Sequence, residues 1–335
     1  MATSAEEGAA REPAGRVPDF FIVGHAKCGT TALYRMLGRH PEIFMPDVKE
    51  PQYFARNPAG SSGPRTGAAL LEQTGRREET LEQYLSLFAA AAPGQRVGEA
   101  STFYLWSTRA AERIAAARPD ARIIAILREP ASFLRSLHLQ MLQNEVEVER
   151  DLRTVLALDE PRRQGRMIPP QAHWPAALIY SDRVRYVEQL RRYEAVFPRE
   201  QIQVLIYDDF RSDNEATVRS VLRFLDVADE MPTRPADANP SVVGRPGRLS
   251  SLTRSVRAES GPIAAAGRRA YQTLASERIR SSLAPLRRRL LWAEPEPPDA
   301  ELMAELRARY RDEVEAVSEH LGRDLVKLWG YDDVA

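Results

Sequence analysis

The sequence predicts an α/β fold with a central parallel sheet flanked by helices. Three observations carry this. Continuous apolar runs occur at Phe20-Phe21-Ile22-Val23 and Ile123-Ile124-Ala125-Ile126-Leu127, helical patterns separate such runs, and a glycine-bracketed turn joins the first run to a helix. Apolar runs without alternation suit strands buried on both faces. In such a sheet, ligands bind at the carboxyl ends of the strands, which is where the turn after Val23 and the stop at Arg128 would lie.

Residues 1–17 are polar and lack a hydrophobic period, so they read as a disordered N-terminal segment, with 18–335 as a single domain. Thr30 to Arg39 places Ala32, Leu33, Met36 and Leu37 at helical spacing, and His40-Pro41 ends that helix. Residues 56–78 read as a surface loop, followed by a helix from Thr80 to Ala90 and a short strand from Gln95 to Gly98. The central strand spans Ala121 to Leu127, and Pro130 fits the first turn of the helix after it. An amphipathic helix from about Ser181 to Tyr193 leads into a third strand, Ile202 to Tyr207. Asn239 to Pro298 is Arg-rich and irregular, and Asp299 to Leu321 is a helix capped by its aspartate.

Composition excludes several classes. With 47 basic and 47 acidic residues, net charge gives no reason to expect nucleic acid or an acidic membrane as the main partner. The single cysteine, Cys28, rules out an intrachain disulfide framework and a cysteine-rich metal site. No secretory h-region and no long apolar run is visible, so the chain reads as soluble and cytoplasmic, with the arginine and alanine bias of GC-rich bacterial coding. Only three of the 47 basic residues are lysines, and two of those, Lys27 and Lys49, fall in or near the glycine turn. A compact, mobile point charge there suits an anion.

The turn reads Gly24-His25-Ala26-Lys27-Cys28-Gly29-Thr30-Thr31. Backbone N–H groups converge at such a strand-to-helix turn, where the helix dipole favours negative charge. It departs from the nucleoside-triphosphatase loop, in which lysine follows the last glycine and a later strand ends in an acidic metal ligand. Here the lysine precedes Gly29, and the strand at Ile123 ends in Arg128. Both differences argue against a magnesium-dependent, P-loop nucleotide kinase-like enzyme, which stands as the alternative together with a catalytically inactive nucleotide-binding module.

Lys27-Cys28-Gly29-Thr30-Thr31-Ala32-Leu33 resembles the 5′-phosphosulfate loop of the sulfotransferases that use 3′-phosphoadenosine 5′-phosphosulfate (PAPS), in particular the branch of heparan sulfate and other carbohydrate sulfotransferases. The resemblance spans roughly Asp19 to Trp329. It implies a P-loop-like sulfotransferase fold, PAPS as donor, no metal, and a carbohydrate, glycolipid or secondary-metabolite acceptor. It further implies that the amides from Lys27 to Thr31, with the Thr30 and Thr31 hydroxyls, hold the 5′-phosphate and sulfonate, and that Lys27 neutralises the bridging oxygen. Leu127-Arg128-Glu129-Pro130, with Ser136 eight residues after Arg128, resembles the family's 3′-phosphate site. By the same resemblance Tyr180 borders the adenine, and Gly244 and Arg245 close over the 3′-phosphate. A salt bridge to an acidic neighbour is the other reading of Arg128.

Sulfonate transfer to a hydroxyl or amine needs a base within hydrogen-bond reach of the acceptor proton. Glu50, in Lys49-Glu50-Pro51-Gln52-Tyr53-Phe54, matches the general base of the heparan-type branch, and adjacent Lys49 could orient substrate. The small-molecule branch uses an imidazole instead, which leaves His25, His138 and His173 as competitors. In Gly98-Glu99-Ala100-Ser101-Thr102-Phe103-Tyr104 the family often carries lysine where Ala100 stands. Ser101, Tyr104, Trp106 and His173-Trp174 could then form a less charged acceptor pocket. Oligomeric state is open at this level.

Overall fold

The structure is a computed structural model that describes residues 16–56, 80–230 and 296–332, with the backbone of 243–244 and 292–293. A five-stranded parallel sheet forms its centre: β1 (Phe20–Ile22), β2 (Ile43–Phe44), β3 (Arg96–Ala100), β4 (Arg122–Leu127) and β5 (Ile202–Ile206), in the order β2-β3-β1-β4-β5. The apolar runs are its middle. Phe20 to Val23 and Ile123 to Leu127 are at most 1% exposed. β1 pairs with β3 through Ile22↔Ala100 and with β4 through Ile22↔Ile124, so three carboxyl ends lie side by side.

The winding of the sheet switches sides at β1, because β2 and β3 lie on one side of it and β4 and β5 on the other. The crevice of an open α/β sheet opens at such a switch point. Gly24, the first residue of the turn, is pressed against β4: a Cβ there would stand 2.7 Å from the Ile126 backbone nitrogen. Any side chain would push the two strands apart.

The helices form for local reasons. α1 (Thr30–Leu37) buries Leu33, Met36 and Leu37. α2 (Leu81–Ser86) begins in a reciprocal Thr80–Gln83 capping box. α3 spans Ala110–Ala117. α4 (Pro130–Gln143) has proline in its first turn, and the Glu129 carboxylate accepts from the amides of Ala131 and Ser132. α5 (Leu152–Ala157) and α6 (Asp159–Arg163) are short, and α7 (Tyr186–Glu194) shows that the expected helix from Ser181 begins as a 3₁₀ turn at Ser181–Val184. α8 (Tyr207–Ser212) starts where the third strand was expected to end, and α9 (Asn214–Phe224) adds a helix not anticipated. The helix Ala300–Leu321 is capped by Asp299 as expected, and it packs on α4 and α7.

A buried ion pair, Arg162 to Glu147 at 2.8 Å with both side chains at most 1% exposed, ties α6 to the segment after α4. Residues 1–15, 57–79, Arg245 and most of 239–298 lie outside the described residues. Gly244 is in a two-residue strand, pairing with Trp292. Among the described residues no helix is long and apolar enough to cross a membrane.

Candidate active site

The turn after β1 is held in an unusual backbone shape. Lys27 has φ 66° and Gly29 φ 88°, both left-handed. For Lys27 this is a strained choice, of the sort that persists where surrounding structure enforces it. Gly29 is required twice over: besides its φ, a Cβ there would meet the Phe210 ring at 2.9 Å. Gly29 is also the N-cap of α1 and offers no side-chain cap bond, so no capping side chain satisfies the first-turn amides from Thr30 on. Of the amides expected to hold an anion, that of Cys28 already donates to the His25 carbonyl, at 3.4 Å. Thr30 is buried and Thr31 half-buried. Burial first, and the neighbouring Arg128 second, lower the pKa of the Lys27 ammonium from the ordinary lysine value. That site favours an incoming negative charge.

Arg128, at the exit of β4, reaches this turn directly. Its Nη1 donates to the Lys27 carbonyl at 2.9 Å, its Nε to Ser132 Oγ at 3.1 Å, and its guanidinium lies over the Tyr207 ring at 4.8 Å. Among the described residues no carboxylate pairs with Arg128, and the adjacent Glu129 caps α4 and accepts from the Tyr331 hydroxyl at 2.7 Å. Ser132, not Ser136, is the serine bonded to Arg128. Ser136 follows one helical turn later and is 4% exposed.

Glu50 stands on the other flank of the turn. Its amide donates to the Ala100 carbonyl at 3.1 Å, at the end of β3, and Ala100 is the register partner of Ile22. Its carboxylate accepts from Lys49 Nζ at 2.6 Å and from Thr102 Oγ1 at 3.1 Å, and it is one-third exposed. Lys49 is therefore engaged with the candidate base itself. Along one rim the order is Glu50 beside β3, the Lys27 turn after β1, Arg128 after β4 and Tyr207 after β5.

A family model described as "Sulfotransferase family" matches residues 18–231. The chain belongs to the sulfotransferase family. It is 25% identical over 257 residues to carbohydrate sulfotransferase 15 of Mus musculus, covering 63% of this chain and 44% of that protein. It is 26% identical over 221 residues to the human bifunctional heparan sulfate N-deacetylase/N-sulfotransferase 3, covering 63% of this chain and 22% of that one. The chain thus matches less than half the length of these curated relatives. Among solved structures, a sulfotransferase from Alicyclobacillus acidocaldarius aligns with TM-score 0.63 and 26% identity over 93% of this chain and 98% of that one. The expected α/β sulfotransferase fold is therefore present, as is the likeness to carbohydrate and heparan sulfate members.

The rest of the site differs from the sequence expectations in informative ways. In this sulfotransferase-family chain Tyr180 is enclosed in the core, with 0% exposure and its ring 6.0 Å from His138. Its amide donates to Asp159 Oδ1 at 2.9 Å. The structure does not bring it to the rim. Tyr186 reaches the rim instead, its hydroxyl donating to the Arg128 carbonyl at 2.7 Å.

His25 is fully buried against Gln189 at 2.8 Å, and burial, with the Arg183 charge second, pushes its pKa well below the ordinary imidazole value. His138, also pushed down by burial, is tied to the Glu149 carbonyl at 2.8 Å. Neither ring is open to an acceptor. His173 is exposed.

Of the expected pocket residues, Ser101 and Tyr104 are buried at 0% and turn inward to Glu99. Trp106 and Trp174, 6.3 Å apart, do line a cavity of about 300 Å³, together with Ala55 and Arg109. Arg183 backs Trp106 at 4.7 Å, fully buried, with Nε and Nη1 unpartnered among the described residues. Sequence reading missed Ser132, Tyr207 and Arg183. Of these, Ser132 had a signal, since it lies four residues after Arg128 on the expected helix.

Proposed function

We propose that the protein transfers a sulfonate group from PAPS to a hydroxyl or amine of an acceptor, with a carbohydrate the favoured class on the strength of its carbohydrate sulfotransferase relatives. One observation carries the reading: a strained, uncapped, lysine-bearing turn is flanked on one rim by a bonded arginine and a carboxylate that is one-third exposed. The chain's residues fit such a donor. First-turn amides of α1 with no capping side chain suit the 5′-phosphate end, and Arg128, held by Ser132, suits a second phosphate.

The donor supplies the sulfonate and a phosphate leaving group. On this reading Lys27 faces the charge that grows on that leaving group, and a cation fixed there stabilises the transition state more than the ground state. Glu50 takes the acceptor proton, and its bonds to Lys49 and Thr102 hold the carboxylate oriented for that transfer.

The test is transfer of radiolabelled sulfonate from PAPS to a panel of glycans, glycolipids and small phenols, in the presence and absence of a magnesium chelator. Label should enter at least one acceptor and be insensitive to chelation, and Glu50→Gln should keep its affinity for 3′-phosphoadenosine 5′-phosphate while turnover falls roughly 10²–10⁴-fold. Nucleotide turnover that collapses on chelation would favour the kinase-like alternative.

A further inference from the structure

Behind the base, β3 carries a carboxylate with no exposure at all: Glu99. Its partners are three hydroxyls drawn from different places in the chain. Ser101 Oγ donates to Oε1 at 2.5 Å, while the Tyr84 hydroxyl from α2 and the Tyr104 hydroxyl donate to Oε2 at 2.8 and 2.9 Å. Each of the three also holds the stretch just after Glu50. Ser101 Oγ accepts from the Gln52 amide at 2.9 Å, the Tyr104 oxygen accepts from the Phe54 amide at 3.3 Å, and the Tyr84 ring stacks on Tyr53 with centroids 4.6 Å apart.

We propose that Glu99 is a positioning residue: through these hydroxyls it fixes residues 52–54 and thereby sets where the Glu50 carboxylate stands. The proposal rests on the reading of Glu50 as the base.

Hydrogen-bond direction is the core of the argument. A hydroxyl has one proton and two lone pairs, so it can accept a backbone N–H while giving its own proton to an acceptor. Above about pH 7, where Glu99 is ionised and acceptor-only, it turns the Ser101 and Tyr104 protons inward and leaves their lone pairs facing the amides of Gln52 and Phe54. In Glu99→Gln one oxygen becomes an NH₂ donor. Facing Ser101, it would compete with the Gln52 amide for the same oxygen. Facing the tyrosines, it would leave at least one phenol without its acceptor.

The held segment needs holding, because Glu50 at φ 61° and Gln52 at φ 59° are both non-glycine residues in the left-handed region. Such strain relaxes when the bonds that enforce it are lost. Relaxation would carry the Glu50 carboxylate away from Thr102 and from the turn.

The experiment compares wild type, Glu99→Gln and Ser101→Ala by hydrogen exchange on the peptide covering 49–56, by 3′-phosphoadenosine 5′-phosphate titration, and by turnover of labelled PAPS. Expected for Glu99→Gln is at least tenfold faster exchange in that peptide with the β4 peptide unchanged, nucleotide Kd within threefold, and kcat down at least tenfold with acceptor KM little altered. Ser101→Ala removes the Gln52 link and one of the three hydroxyls on Glu99 but leaves both tyrosine links in place, so it should give a smaller change in the same direction, which keeps the test decisive if Glu99→Gln does not fold. Exchange in 49–56 that matches wild type in both variants overturns the proposal, as does exchange that rises equally in the β4 peptide. Glu50→Gln, run alongside, separates the two ideas: full turnover in that variant removes the base assignment, whereas the exchange data judge Glu99 alone.

Discussion

Arg128 Nη1 donates to the Lys27 carbonyl oxygen at 2.9 Å, so the residue that ends β4 is bonded to the turn that opens α1. One side chain therefore braces the phosphosulfate-loop candidate and is also the cation proposed for the second anion position.

Arg128→Ala should weaken 3′-phosphoadenosine 5′-phosphate by about 2 kcal/mol or more, roughly thirtyfold in Kd, the scale for losing a charge-assisted contact. The 3′-hydroxyl analogue, adenosine 5′-phosphate, should lose much less. Titration calorimetry on both nucleotides checks this, and equal losses would mean that Arg128 serves the turn only.

Gly29→Ala places a methyl 2.9 Å from the Phe210 ring at φ 88°. The expected cost is about 1–3 kcal/mol in stability, with nucleotide binding lost more completely than stability, because the turn cannot reshape without moving its amides. Thermal melts with and without 3′-phosphoadenosine 5′-phosphate read both effects.

Much of the rim was legible in the sequence because it depends on local chemistry. Unbroken apolar runs mark β1 and β4, Gly29 marks a left-handed cap, and Lys27, Glu50 and Arg128 sit beside strand ends. What sequence did not show depends on distant partners. β2 is two residues long and is a strand only because the backbone of β3 pairs with it. Tyr207 completes an apolar run, yet it begins α8 and lies under Arg128. Glu99 reads as one more acidic residue until hydroxyls from residues 84, 101 and 104 converge on it. The eight-residue spacing from Arg128 pointed to Ser136 as a second ligand of one anion, and gave no sign that Ser132, in the first turn of α4, is the residue the guanidinium itself bonds.

Glu99 should leave a signature in stability against pH. Burial pushes its folded-state pKa up to about 7 from an ordinary value of 4.5, although three hydroxyl donors pull the other way. Below 4.5 the group is protonated folded or unfolded. Between 4.5 and 7 the folded state binds the extra proton, so stability falls as pH rises, by about 3 kcal/mol in total on this group's account. Wild type should thus lose ground relative to Glu99→Gln from pH 4.5 to 8 in denaturant titrations. A pH-independent difference between the two would contradict the shift.

The Arg162–Glu147 pair is buried on both sides, with Arg162 Nη1 also donating to the Leu178 carbonyl at 3.0 Å. Glu147→Ala strands a guanidinium in the core and should cost about 3–5 kcal/mol. Replacing both residues with apolar ones of similar volume should recover most of it, as a double-mutant comparison of denaturant midpoints would show.

Cys28 lies inside the phosphosulfate-loop candidate with 0% exposure, and burial raises its thiol pKa to about 12. As a thiol that is neither ionised nor reachable, it is inert to air and to alkylating reagents for as long as the turn keeps its shape. Its alkylation rate then becomes a clock for transient opening there, read at the chain's sole sulfhydryl without any added label.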